Sequence, residues 1–264
     1  MVKFTKDPIK AFIKECESNI ANYSKDTDWQ LNSRHWLEQA FQQKFMYNFS
    51  SLGIPIIQTP NDMVAMQEII WKVKPDLIIE TGIAHGGSLV MSASILALLD
   101  MCDSIESGTM FNPKVSKRKV LGIDIDIREH NRKAIELNPM ASRIQMIQGS
   151  SIEPNIIEQV KQVAKNYNRI MICLDSNHTH EHVMKELEAY AMLTSVGSYC
   201  VVFDTIVEDM PADTFPDRPW SLGNNPKTAV WQFLKTHFEF EIDKNFQNKL
   251  LITVAPDGYL KRIK

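Results

Sequence analysis

Three glycines fall within six residues directly after a short apolar run, and no other stretch of the chain restricts the fold as tightly. Asp76-Leu-Ile-Ile-Glu80 leads into Thr81-Gly82-Ile83-Ala84-His85-Gly86-Gly87-Ser88, and an apolar pattern with helical spacing begins at Leu89. Leu77-Ile78-Ile79 reads as a buried strand that turns sharply into a helix. Glycine at such a turn lets the backbone approach a ligand closely, and the helix N-terminus offers it unpaired N–H groups. A tight turn serving no ligand has the same local signature, so the turn needs partners elsewhere in the chain.

Downstream, short apolar runs predict strands at residues 77–80, 119–124, 144–149, 170–175 and 198–204. Helical patterns at 88–99, 129–137, 155–163 and 180–193 separate or follow them. Strand–helix alternation of this kind specifies an α/β, Rossmann-like, mostly parallel sheet covered on both faces. Residues 205–226 then form a Pro- and Asp-rich loop too long for a passive connection. A helix at 227–237, strands at 238–242 and 249–254, and a turn at Pro256-Asp257-Gly258 with a short tail complete the pattern.

Upstream, residues 1–50 carry apolar residues at helical spacing and predict two helices around a loop near 23–28. Gly53, Pro55 and Pro60 argue for a structured loop rather than a strand. Asn61 or Asp62 is placed to cap a helix through Val73. The expected division is a helical extension with a substrate-side loop at 1–74, and a cofactor-binding domain at 75–264.

A net charge of −3 over 264 residues provides no broad basic field, so bulk electrostatics give no support to nucleic-acid or anionic-membrane binding. The N-terminus lacks a signal-peptide core, and no apolar run approaches the ~18 residues of a membrane span. Cys16, Cys102, Cys173 and Cys200 form no CxxC pair, and neither a disulfide nor a zinc site is expected. The chain reads as cytoplasmic.

Partners for the glycine turn are present. Gly82-Ile-Ala84-His85-Gly86 is not the full dinucleotide fingerprint. Asp124, however, ends the next predicted strand, where a carboxylate can accept both hydroxyls of a ribose; Asp126 competes for that role. Gln148-Gly149-Ser150-Ser151 ends the third strand, where an adenine would lie, although its small polar residues equally suit a helix cap. Asp175 and Asp204 end the fourth and fifth strands, so both face the crevice beyond the carboxyl ends of the sheet. Two carboxylates there repel unless a proton or cation joins them, and hard oxygen ligands suit Mg²⁺. His178, three residues after Asp175, is within reach as a general base. His180 and His182 are expected on the solvated face of the next helix, and a zinc reading of the three histidines lacks the i, i+4 pair. Trp220, Phe215 and Tyr47 could stack on a sugar ring or simply pack.

Taken together, these stretches resemble the class I S-adenosylmethionine-dependent methyltransferases. Within them they resemble the group labelled cephalosporin hydroxylase, which includes rhamnosyl and macrolide-sugar O-methyltransferases. The matching segments are Gly53-Ile-Pro-Ile-Ile-Gln58-x-Pro60-x-Asp62-Met63, Glu80 to Ser88, Gly122-Ile-Asp124-Ile-Asp126, Asp175-Ser-Asn-His178, Val202-Phe-Asp204-Thr205 and Gly223-Asn-Asn-Pro226-x-Thr-Ala229-Val230. The resemblance implies a seven-stranded sheet with its last strand antiparallel, and S-adenosylmethionine and Mg²⁺ (or another divalent cation) as cofactors. Glu80, Gly82 and Gly86 would take the methionine part and Asp124 the ribose, with Ala84, Ser88, Ser150 and Asp175 also contacting the cofactor. Asp175 and Asp204 would bind the metal, and His178 would be the base on a sugar or glycoside hydroxyl. Some relatives carry an acidic pair where this chain has Phe203-Asp204. The third protein ligand is therefore open, with Glu208 and Asp209 the nearest spare carboxylates. No convincing iron triad supports a hydroxylase. A nicotinamide-dependent oxidoreductase and a non-catalytic cofactor-binding subunit are the competing readings, and a homo-oligomer is expected.

Overall fold

The computed structural model describes residues 7–113 and 115–264. Two helices open it, α1 (Pro8–Tyr23) and α2 (Thr27–Gln42), capped by the side chains of Asp7 and Asp26. A hairpin of β1 (Phe49–Ser51) and β2 (Ile54–Ile56) follows where the sequence argued for a loop. The correction has a local cause: Leu52 and Gly53 both adopt positive φ, 48° and 85°, which suits a two-residue hairpin turn.

Helix α3 (Pro60–Val73) is capped by Thr59, whose hydroxyl accepts from Asp62 N–H at 3.2 Å, rather than by Asn61 or Asp62. Pro60 at the first helical position fixes that start. Asp62 is instead fully buried and accepts from Val254 N–H at 2.9 Å, the Tyr259 hydroxyl at 2.7 Å and the Thr253 hydroxyl.

The main layer then runs β3 (Leu77–Thr81), α4 (Gly87–Ser107), β4 (Lys119–Asp124), α5 (Glu129–Leu137), β5 (Ile144–Gln148), α6 (Pro154–Ala164), β6 (Ile170–Leu174), α7 (His180–Tyr190), β7 (Tyr199–Val202), α8 (Pro226–Phe233), β8 (Phe240–Ile242), α9 (Lys244–Leu250) and β9 (Tyr259–Arg262). The seven-stranded sheet has the order β5-β4-β3-β6-β7-β9-β8, and β9 alone runs against its neighbours. Alternating residues of each strand feed two cores. Ile78, Val120, Met171 and Val201 pack with Ile69 and Ile70 of α3 and Leu89 and Leu96 of α4. Leu77, Ile79, Leu121 and Ile172 pack with Val160 of α6, Leu187 of α7 and Phe233 of α8.

Two elements differ from expectation. Residues 249–254 are not a strand: Asp243 caps α9 through Asn245 N–H at 3.1 Å, and Phe246 and Leu250, one turn apart, turn toward the core. The following Thr253 and Val254 are held by Asp62 instead of a ladder. The final sheet strand is the segment expected as a tail, β9, entered through Asp257 at φ 63°. Helix α4, with 21 residues, is also long and apolar enough to cross a bilayer by length and composition, contrary to the expectation of no such run. In the fold it packs in the core, with Leu89, Val90, Ala93, Leu96 and Leu99 buried.

Candidate active site

Strand order reverses between β3 and β6, and the crevice beyond their carboxyl ends is where open parallel sheets bind ligands. Asp175 N–H donates to Thr81 O at 2.9 Å, which locks the two strand ends together. Gly82 adopts φ +88°, and a Cβ built on it would stand 2.6 Å from the Asp175 carbonyl carbon and nearer still to its oxygen. Only glycine allows the turn to pass so close to β6. Ala84 and Asp204 also hold positive φ, 47° and 53°, conformations that non-glycine residues adopt at some cost and that cluster at functional sites.

Two cavities open here. The first, about 270 Å³, is lined by Gly82, Ala84, Asp124, Ser150, Asp175 and His182, among others. The second, about 340 Å³, is lined by Tyr47, Gln58, Asp175, His178, Asp204 and Trp220, with further aromatic and aliphatic residues. Ala84, Asp175 and Ser176 border both. A molecule in each would meet across that shared wall.

On the side of the first cavity, Asp124 accepts from Ile83 N–H at 2.7 Å and Ala84 N–H at 3.3 Å with one oxygen, and from Asp126 N–H at 3.0 Å with the other. It both shapes the turn and faces the cavity. Asp126 lies outside that lining, 70% exposed and 3.9 Å from Arg128. Glu80 is buried and accepts from the Ser88 hydroxyl; burial pushes its carboxyl up to about 7 despite that bond. Gly86 lines neither cavity: it starts α4 and backs onto Ile135 of α5.

On the side of the second cavity, Asp175, His178 and Asp204 bring ligand atoms within 4.8 Å of one another. His178 Nε2 lies 3.0 Å from Asp204 Oδ2, and its ring packs edge-to-face on Trp220 with centroids 4.7 Å apart. The Asp175 carboxyl is held well above its usual range by burial first, then by the charges of Asp204 and Glu80. Glu208 and Asp209, the spare carboxylates, are engaged elsewhere. Glu208 accepts from Gly223 N–H at 2.8 Å and from Asn225, and Asp209 pairs with Lys227 at 2.5 Å. The third group in the set is therefore His178.

The residues fit a cationic cofactor and a divalent cation. Glu80, Asp175 and Asp204 crowd the crevice without an ion pair to Lys or Arg among the described residues. Burial raises Glu80 and Asp175, and the neighbouring acids raise Asp175 further, a strain that a bound positive charge relieves. The donors a cation would find are the hard carboxylate oxygens of Asp175 and Asp204, with the His178 imidazole beside them. Gln58 Oε1, buried and without a hydrogen-bond partner, lines the second cavity.

A second buried network, missed in the sequence, underlies the first cavity. The Ser151 and Ser176 hydroxyls donate to Glu186 Oε1 at 2.6 and 2.7 Å, and each lies 3.1 Å from His182 Nε2. His182 thus faces inward rather than solvent, and its i, i+4 spacing from fully buried Glu186 was the available signal. His180 is pinned by Thr228 at 2.8 Å and Gln232 at 3.0 Å.

A sheet of this order with one reversed strand, carrying an acid-bearing glycine turn at its switch point, defines a class I methyltransferase fold. The family model described as rhamnosyl O-methyltransferase/CmcI matches residues 43–263, and the chain belongs to that family. The rhamnosyl O-methyltransferase of Mycobacterium tuberculosis is 31% identical over 217 residues, covering 80% of this chain and 77% of its own. That of Mycobacterium leprae is 28% identical over 223 residues, covering 83% and 85%. A solved CmcI structure with Mg and SAM is similar in fold, with a TM-score of 0.51 at 17% identity over 83% of this chain and 78% of that one.

Proposed function

We propose that the protein transfers a methyl group from S-adenosylmethionine to a hydroxyl of a sugar or glycoside, assisted by Mg²⁺ or another divalent cation. The observation that carries this reading is the pair of cavities that share Asp175. One has a carboxylate for a ribose at Asp124, and the other has a base beside two carboxylates. Membership of the family supports the reaction, and the names of its mycobacterial members support a deoxysugar-type acceptor.

Glu80, Gly82, Ala84, Gly86, Ser88, Asp124, Ser150 and Asp175 would build the cofactor side, Gly86 by shaping the turn. Asp175 and Asp204 would hold the cation, Asp204 through the oxygen not paired with His178. When bound, the cofactor supplies an electrophilic methyl group and the cation lowers the pKa of the acceptor hydroxyl. The chain's own work is to align that hydroxyl and take its proton. An Nε2–H donated to Asp204 leaves His178 Nδ1 as the basic nitrogen, and the imidazolium formed there faces the carboxylate it already touches.

Phe41, Tyr47 and Gln58 bring the segment before residue 75 into the acceptor cavity, in keeping with a substrate-side role for it. Helix α1 leaves Ile9, Phe12 and Ile13 exposed, which supports a homo-oligomer, and the four free cysteines support a reducing, cytoplasmic setting.

Calorimetry with S-adenosylmethionine, S-adenosylhomocysteine and NAD, with and without Mg²⁺, tests the cofactor side; methyl transfer to a panel of sugars tests the rest. Binding of NAD alone would return the chain to the oxidoreductase reading, which the incomplete glycine fingerprint and the Asp175/Asp204 pair disfavour.

A further inference from the structure

The larger cavity carries acids at its floor and a cation at its rim. Asp175 and Asp204 form the floor; among the described residues lining it, Arg218 is the one permanent cation. Its guanidinium carbon lies 5.2 Å from the Trp220 ring centroid, and it forms no ion pair with any described carboxylate. Of the acids in the same loop, Glu208 is committed to Gly223 and Asn225 and Asp209 to Lys227, while Asp213 and the adjacent, exposed Asp217 make no ion pair with Arg218. Phe215, which anchors this loop by an edge-to-face contact with Phe41 of α2 at 5.3 Å, lines the cavity too. Trp220 thus touches both the guanidinium and the His178 ring, which places Arg218 and the base beside one aromatic side chain of the same cavity.

We propose that Arg218 recognises an anionic group on the acceptor, a phosphate or carboxylate carried by the same sugar whose hydroxyl is methylated. The proposal rests on the reading of this cavity as the acceptor site. Contact with the Trp220 face restrains the guanidinium and leaves its planar fork of donors, which matches phosphate and carboxylate oxygens two at a time. A neutral glycoside could offer the guanidinium only neutral hydroxyl acceptors, whereas an anion adds charge-assisted hydrogen bonds. With Asp175 and Asp204 taken up by the cation and the reacting hydroxyl, Arg218 is the positive group left in the cavity for an anion. Phosphate could come from a sugar 1-phosphate or a nucleotide sugar, and carboxylate from a uronic acid.

The test uses the full chain loaded with S-adenosylhomocysteine and Mg²⁺. Titrated in turn are methyl rhamnoside, rhamnose 1-phosphate, a thymidine-diphosphate-linked rhamnose and methyl glucuronide, each at low and high salt. An exposed charge-assisted contact predicts that at least one anionic sugar binds about 10-fold more tightly than the neutral one. The margin should shrink in high salt. Arg218→Gln should erase it and Arg218→Lys retain part of it, with S-adenosylhomocysteine affinity unchanged in both. Preference for the phosphate arms assigns phosphate, and preference for the glucuronide assigns carboxylate. Equal binding of all four sugars, or a margin that survives Arg218→Gln, overturns the proposal. Failure of the unmodified protein to bind S-adenosylhomocysteine at all overturns the parent reading instead, and this one with it.

Discussion

Gly82→Ala isolates the contact on which the whole crevice depends. At φ +88° an L-residue costs about 1–2 kcal/mol whatever its surroundings. The added Cβ would also press into the carbonyl of Asp175, which is backbone and cannot swing away as a side chain would. Overpacking of that kind adds about 1–3 kcal/mol, and a rigid neighbour places it at the upper end. A loss of about 3–5 kcal/mol is expected, or roughly 10 °C in melting temperature for a chain of this size.

Gly108→Ala is the matched control. It has φ +66° and nothing within 4 Å of its Cβ, so only the conformational cost of about 1–2 kcal/mol applies. Denaturant and thermal melts of both variants measure the difference. Strand β6 must yield for the variant to fold, which displaces Asp175, so divalent-cation binding should weaken in Gly82→Ala and remain intact in Gly108→Ala. Equal destabilisation of the two would refute the close-approach argument.

Three other outcomes are expected. His178→Ala should lower turnover by about 10²–10⁴ while calorimetric S-adenosylmethionine binding stays nearly unchanged; retained turnover would remove His178 as the base. Asp175→Asn should abolish the response to divalent cations, and activity of the unmodified enzyme after exhaustive chelation would end the metal assignment. Glu80, raised by burial from 4.5 to about 7, gives the cofactor-free fold an excess of bound protons in that window. Its contribution to stability is full below about 4.5 and is lost as pH rises through 7, by about 3 kcal/mol. Glu80→Gln should flatten that part of the slope in melts from pH 5 to 8, and an unchanged slope would show that Glu80 is not held protonated.

Much of this architecture was legible because burial on both sheet faces forces continuous apolar runs. Ile170–Leu174 and Lys119–Asp124 are visible for that reason, and the acids that end or directly follow them mark the crevice. The C-terminal region was misread because residues 249–254 have a strand's composition, yet only Thr253 and Val254 are fully buried, and the buried carboxylate of Asp62 holds them in place of a ladder. A pairing across about 190 residues leaves no local periodicity. The β1–β2 hairpin was hidden because Leu52, and not a residue that favours positive φ, precedes Gly53. Within the crevice, Asp175, His178 and Asp204 could be found from their positions after strands. The inward turn of His182 had one local signal, its i, i+4 spacing from Glu186, while the two serines that complete its network come from separate loops.

The reversed strand has a consequence for the order in which the chain can be completed. β9 is made after β8 yet lies between β8 and β7. On the ribosome, β8 therefore emerges with no neighbour to join, and β7 presents an unpaired edge until residues 259–262 appear. The same strand delivers the Tyr259 hydroxyl to Asp62, made nearly two hundred residues earlier. Until then a buried acid near the start of the domain lacks one of its donors. Closure of that edge and completion of the Asp62 network therefore come together, when β9 slots in between β7 and β8.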